Sequence, residues 1–234
     1  MNIQKAKKVY KNEGLIPFLS RTVSFVSKKI VSYDTYYLVK RSIQDLELEP
    51  EKYKPDIEGL KIVTVTSNAQ ADELTREYED FRLYHLNSAQ MLDAGVLASC
   101  TYIGREVANI CWIAATEAGK RAMTDIPYRV DFDNKECCFG NSYTVPKYRR
   151  MGLRRYGTRM RYRIIKDMGM ETMRHPVNTR NVVGLIASES KVGQQVYARA
   201  YRISILGFRY WKEVPLDIPL GELIAQKKAS RNPS

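Results

Sequence analysis

The sequence is poor in the residues that metal and hydrolytic chemistry most often need. It has two histidines, His85 and His175, and four cysteines, Cys100, Cys111, Cys137 and Cys138. No C-x-x-C spacing occurs, so a metal site is not expected. Neither histidine adjoins a nucleophile motif, so no catalytic triad is expected either. The vicinal pair Cys137-Cys138 falls in a strand-like run, and all four thiols read as buried and reduced, as in a cytoplasmic protein. No Gly-Lys-Ser/Thr triplet is present, which excludes the P-loop. No apolar run reaches the roughly 20 residues that cross a bilayer. No small-residue cleavage site follows a single apolar core, so a signal peptide is not expected. Internal repeats and low-complexity tracts are also missing.

What is present describes a globular chain. Its 234 residues, 44% hydrophobic and 27% charged, suffice for one substantial core with an added element. The net charge of +12 is unevenly spread. Residues 1–41 hold nine Lys or Arg against Glu13 and Asp34, residues 147–166 hold nine and no acid, and the remainder is net acidic. Two separate basic patches point to two sites rather than to a uniformly basic surface.

The first patch reads as helices over 3–11 and 15–31, broken at Gly14 and Pro17, with a strand-like run from Tyr33 to Ser42 after them. A basic amphipathic segment can lie on an anionic membrane face, so peripheral membrane contact through residues 1–31 is one expectation. The acidic, proline-punctuated stretch 46–55 reads as a connector. From there strands are expected over 60–66, 96–102, 107–115, 136–145, 171–177, 194–203 and 206–211. A hairpin turn is expected at Gly104-Arg105-Glu106, and helices over 69–86 and 181–191. A mixed sheet with helices on both faces follows from that order.

The second patch is the most informative. A strand, Glu136 to Val145, runs through Pro146 and Gly152 into a helix expected to end near Met168, with Leu153, Tyr156, Met160, Ile164 and Met168 as its apolar stripe. A strand that turns into a helix start aims unpaired backbone N–H groups at one spot. Arg149, Arg150, Arg154 and Arg155 around that spot suit a diphosphate. Nucleic-acid phosphates are the rival partner for the same charges, although the helix lacks interleaved exposed aromatics.

At these residues the chain resembles the GNAT superfamily of acyl-CoA-dependent N-acetyltransferases. Arg149-Arg150-Met151-Gly152-Leu153-Arg154 matches the first and fourth positions of the family's Gln/Arg-x-x-Gly-x-Gly/Ala signature. Arg154 replaces the small sixth residue and would have to point outward. Asn181 to Gly193 resembles a second family pattern, and Asn181 is equally suited to an N-cap. The resemblance implies an α/β GNAT-like mixed sheet over 56–215, preceded by a basic helical extension and connector (1–55) and followed by a tail (216–234). It implies acetyl-CoA or another acyl-CoA as cosubstrate, bound by Thr144, Val145, Arg149, Arg150, Met151, Gly152, Leu153, Arg154, Arg155 and Asn181. The acceptor would be a small-molecule or protein amine, attacking the thioester directly in a ternary complex. The family's general-acid tyrosine aligns with Glu189, leaving Glu136 and Tyr143 as candidate catalytic groups. Seven positions apart, these two point to opposite faces of a regular strand. A GNAT fold that binds CoA without catalysis is the remaining alternative.

Overall fold

The computed structural model describes residues 31–44, 46, 48–181 and 194–229. The N-terminal helices expected over 3–31 and the helix expected over 181–191 lie outside these residues, apart from Val31 and Asn181.

Among the described residues eight strands form one sheet: β1 (Val31–Ser42), β2 (Leu60–Val65), β3 (Leu97–Ile103), β4 (Glu106–Ala114), β5 (Glu136–Thr144), β6 (Thr172–Asn178), β7 (Gln194–Ile205) and β8 (Phe208–Pro219). Their spatial order is β2-β3-β4-β5-β6-β1-β7-β8, with β5 and β6 parallel and the other neighbours antiparallel. Among the described residues the helices are α1 (Asn68–Leu74), α2 (Ser88–Asp93), α3 (Glu117–Met123), α4 (Leu153–Asp167) and α5 (Leu220–Ala229).

Local chemistry explains the elements. β3 and β4 are continuous apolar runs because helices or neighbouring segments cover both of their faces. Ser67 and Thr116 accept hydrogen bonds from Gln70 N and Gly119 N, capping α1 and α3. The turn at Gly104 takes a left-handed φ of 58°. The expected helix over 69–86 is interrupted after Leu74 and resumes as a short 3-10 turn, Phe81–Tyr84. There the Asp80 side chain accepts from Arg82 N at 2.9 Å, an aspartate turn that competes with helix.

The sheet is covered on both faces. On one, Met91, Leu92 and Met123 from α2 and α3 pack against Cys100, Trp112 and Cys138. On the other, Tyr162 and Ile165 of α4 pack against Ile113, Cys137 and Met173, and Leu220, Leu223 and Ile224 of α5 pack against Tyr37, Val39 and Val196. Cys137 and Cys138 therefore face opposite sides of β5, as successive strand residues must, and all four thiols are buried and free. Burial pushes the Cys138 thiol up to about 11 and holds Cys100 and Cys137 well above their ordinary value.

Three placements differ from the sequence reading. β1 sits inside the sheet, paired on both edges between β6 and β7, so residues on both sides of position 55 contribute strands to one sheet. The segment from 216 completes β8 and forms α5, whose Leu220, Leu223 and Ile224 are buried. The buried stripe of α4 is Leu153, Tyr156, Arg161, Tyr162 and Ile165, while Met168 is exposed. The stripe is rotated because the aromatic Tyr162 and the stem of Arg161 turn inward.

Candidate functional site

β5 and β6 pair only over Glu136–Cys138 and Thr172–Arg174. Beyond Cys138 they separate and open a cleft of about 400 Å³. A β-bulge accompanies the divergence. Pairing of β4 with β5 skips from Ile110↔Tyr143 to Trp112↔Gly140, and Asn141 takes a left-handed φ of 48°. A bulge adds a residue to one strand and bends it, here steering β5 away from β6.

The bulge also reverses the alternation of side chains. Before it, Cys137 and Phe139 lie on the α4 face and Cys138 on the other. After it, Ser142 and Thr144 line the cleft with α4, while Tyr143 packs against Tyr84 and His85 with ring centroids 5.5 and 6.4 Å away. Glu136 and Tyr143, expected on opposite faces of a regular strand, thus share the face away from α4, and neither lines the cleft.

Glu136 lies at the closed end of the splay. Its Oε1 accepts from Arg174 Nη2 at 2.6 Å, Arg174 Nε stands 2.6 Å from its Oε2, and Asp131 N donates to that oxygen at 2.7 Å. The carboxylate ties β5 to β6 where the two strands part. Removing one partner of a buried pair leaves an uncompensated charge. Glu136→Gln is expected to lower stability by about 3 kcal/mol, read as a fall in thermal melting temperature. An unchanged melt with lost activity would instead mark a catalytic carboxylate.

One mouth of the cleft is the loop from β5 to α4. Val145 N donates to Ala108 O at 3.0 Å, so this donor extends the sheet. Lys147 Nζ and Tyr148 OH both donate to Glu106 Oε2, anchoring the 3-10 turn Pro146–Tyr148. Arg149 Nε donates to Thr144 O at 3.3 Å. Arg150 and Gly152 then take left-handed φ of 67° and 76°, turning the chain into α4. No side chain caps this helix; Arg155 N donates to Gly152 O at 3.0 Å, and the positive end of the helix faces the rim, where it favours an anion.

Of the residues expected to hold a cofactor, Thr144, Arg154 and Asn181 line the cleft. Arg149, Arg150, Met151 and Gly152 form the exposed rim, and Leu153 is buried beneath it. Arg154, expected to point outward, is exposed and also borders the cleft. Arg155 lies elsewhere: its guanidinium and that of Arg159 stand 4.3 and 4.4 Å from the Tyr53 ring centroid, a cation–π arrangement that fastens α4 to the 3-10 turn Pro50–Tyr53.

Sequence reasoning missed several cleft residues. Asn109 Nδ2 donates to Thr144 Oγ1 at 2.8 Å and Tyr143 O at 3.0 Å, bracing the strand beyond the bulge. Arg161 and His175 also line the cleft. The spacing puts Arg161 with the other arginines of its run, off the apolar stripe, and His175 on a strand carries no neighbouring motif. Among the described residues no group of acids, histidines and cysteines could hold a metal ion, and no helix is long and apolar enough to cross a membrane.

Burial, and then the Arg161 and Arg154 guanidiniums, push the His175 imidazole down to about 4. It is therefore neutral in the folded protein at pH 7, with Nδ1 3.1 Å from Met173 Sδ. Its folded pKa lies below the unfolded value of about 6.5. The unfolded state takes up the proton first, so this contribution is present above about 6.5 and is lost as pH falls towards about 4. We expect His175→Gln to flatten that part of the acid stability profile; an unchanged profile in denaturant titrations from pH 7 to pH 4 would contradict it.

No protein-family model and no curated protein matches the chain. Solved structures do. A fungal GH3 β-N-acetylglucosaminidase carrying a GCN5-related glucosamine N-acetyltransferase region is similar at 13% identity and TM-score 0.51, over 82% of this chain. This chain spans 22% of that multidomain protein. A functionally unknown conserved protein from Staphylococcus epidermidis is similar at 12% identity and TM-score 0.43, over 80% of this chain and 67% of its own. A Drosophila melanogaster protein is similar at 14% identity and TM-score 0.44, over 81% and 57%. The chain shares the fold of the GCN5-related N-acetyltransferases.

Proposed function

We propose that this chain, built on the GCN5-related N-acetyltransferase fold, is an N-acyltransferase that moves an acetyl or other acyl group from acyl-CoA to a primary amine. The observation that carries this reading is the conjunction of the splay between β5 and β6 with an uncapped 15-residue helix starting at its mouth. The first turn of α4 and the rim arginines Arg149 and Arg150 hold the pyrophosphate, since both offer positive charge and N–H donors to an anion. The pantetheine arm lies along β5 past Thr144, within the cleft. The bulge takes a residue of β5 out of the ladder, and a backbone N–H there would stabilise the thioester oxygen as it becomes an oxyanion. Holding amine and thioester in line removes much of the entropic barrier.

A proton must leave the attacking amine. The described residues lining the cleft include no Asp or Glu, so in this reading the proton leaves through water. Glu136 is held by Arg174 and Tyr143 faces the opposite layer, and neither takes part in the proposed chemistry. Nucleic acid is not the proposed partner. Arg155 and Arg159 stack on Tyr53 and Arg161 is buried, so α4 presents no continuous row of outward-facing arginines.

Release of free thiol from acetyl-CoA, followed with a panel of amines, tests the activity; amine-dependent release is expected, and none with any amine would leave a CoA-binding protein without catalysis. Arg149→Ala and Arg150→Ala are each expected to weaken acetyl-CoA binding about tenfold, the size of one charge-assisted hydrogen bond. Undiminished affinity in both variants would move the phosphates elsewhere.

A further inference from the structure

Arg161 is 8% exposed and lines the cleft. Its partners are all neutral. Nη1 donates to Cys111 Sγ and, at 3.2 Å, to Ser142 Oγ, and Nη2 donates to Thr158 Oγ1 at 2.6 Å. Nε is buried with no hydrogen-bond partner. A buried guanidinium without a counter-ion is among the costlier arrangements a fold can keep. In the described cleft lining the Phe139 ring, its centroid 5.3 Å from the guanidinium carbon, offsets it only in part; no carboxylate is there, and Arg154 adds a second cation. Uncompensated positive charge facing an open cleft is what an anionic ligand would complete.

The phosphates of CoA do not meet that need. Arg161 stands nine residues past Gly152, about 13 Å along the helix axis, so it is remote from the helix start where those phosphates are placed. We propose that the floor of the cleft, built by Arg161 with Ser142 and Thr158, binds the carboxylate of a substrate. A planar guanidinium fork pairs bidentately with a carboxylate, and the phosphates of CoA are placed elsewhere. The carboxylate belongs either to the transferred group, as the free end of a dicarboxylic half-thioester, or to the acceptor, as that of an amino acid. Placing the CoA phosphates apart from it rests on the acyl-CoA reading above; the uncompensated charge does not.

The test is calorimetric titration of the full chain and of Arg161→Met with two matched pairs. One pair is S-(2-carboxyethyl)-CoA against S-propyl-CoA, stable thioethers that differ by the anion on the acyl side. The other is a set of amino acids against their amides, which differ by the anion on the acceptor side. In one pair the carboxylate member is expected to bind the wild type at least about tenfold more tightly, and Arg161→Met is expected to abolish that difference. Preference within the CoA pair places the carboxylate on the transferred group, and preference within the amino-acid pair places it on the amine. No preference in either pair, or a preference that survives in Arg161→Met, overturns the proposal. If neither CoA thioether binds, the acyl-CoA reading fails, while the amino-acid pair still decides this one. Should Arg161→Met not fold, Arg161→Lys keeps the charge without the fork and is expected to lose most of the preference; full retention counts against the site.

Discussion

A chain lacking residues 1–42 is expected to be recovered without a cooperative fold. β1 pairs with β6 from Tyr36↔Asn178 to Ser42↔Thr172 and with β7 from Val31↔Ile205 to Arg41↔Gln194. Removing it divides the sheet and leaves two long unpaired edges. It also removes Tyr36, Tyr37, Leu38 and Val39, which are all buried, the last two completely. At roughly 1.5–3 kcal/mol for each large apolar side chain, these four account for about as much as the 5–15 kcal/mol by which whole domains are stable. A milder probe is Leu38→Ala, expected to cost about 2–5 kcal/mol as a core truncation. Far-UV circular dichroism with thermal melting reads both. A truncated chain that melts cooperatively would show that β1 is dispensable.

The second large effect is expected at the rim of the cleft. Gly152→Val is expected to weaken acetyl-CoA binding by at least about tenfold, because two changes act together. Gly152 has a φ of 76°, a backbone state that a β-branched residue adopts only at about 1–3 kcal/mol of strain. Relieving that strain moves the start of α4 away from the proposed phosphate position. A valine would also crowd the position proposed for the phosphate, while towards Pro55 an added Cβ would find Cγ at an ordinary 3.6 Å. The clash is therefore with the ligand and the backbone more than with the core. Retained affinity would remove the phosphate site from this loop.

Legibility from sequence divides along physical lines. β3, β4 and the turn between them were readable because continuous apolar runs flank Gly104. The passage from β5 to α4 was readable because Pro146, Gly152 and the arginines announce it locally. β1 was recognisable as a strand, but its place between β6 and β7 was not. Strand order is set by pairings between residues more than a hundred positions apart, such as Val39↔His175, and side-chain alternation carries no record of them. The bulge at Asn141 was invisible for a similar reason: an asparagine in a strand does not declare a left-handed φ, and one extra residue inverts every facing after it. That single feature decides that Ser142 and Thr144 reach the cleft and Tyr143 does not.

Arg161 shows the limit of patterning for the site. Arg154, Arg155, Arg159, Arg161 and Arg163 form one basic run in which spacing does not tell the members apart, yet one of them turns inward towards Cys111 and Ser142. β8 was cut short and the start of α5 missed because charged residues such as Lys212, Glu213 and Asp217 make an edge strand resemble a tail.

Calorimetric titration of the purified chain with acetyl-CoA tests the central claim most directly, with free CoA and a short RNA as comparisons. The account predicts saturable one-to-one binding of acetyl-CoA, weakened by Gly152→Val. No binding of acetyl-CoA or CoA, together with RNA binding that falls steeply as salt rises, would contradict it and assign the arginines of α4 to a nucleic-acid backbone.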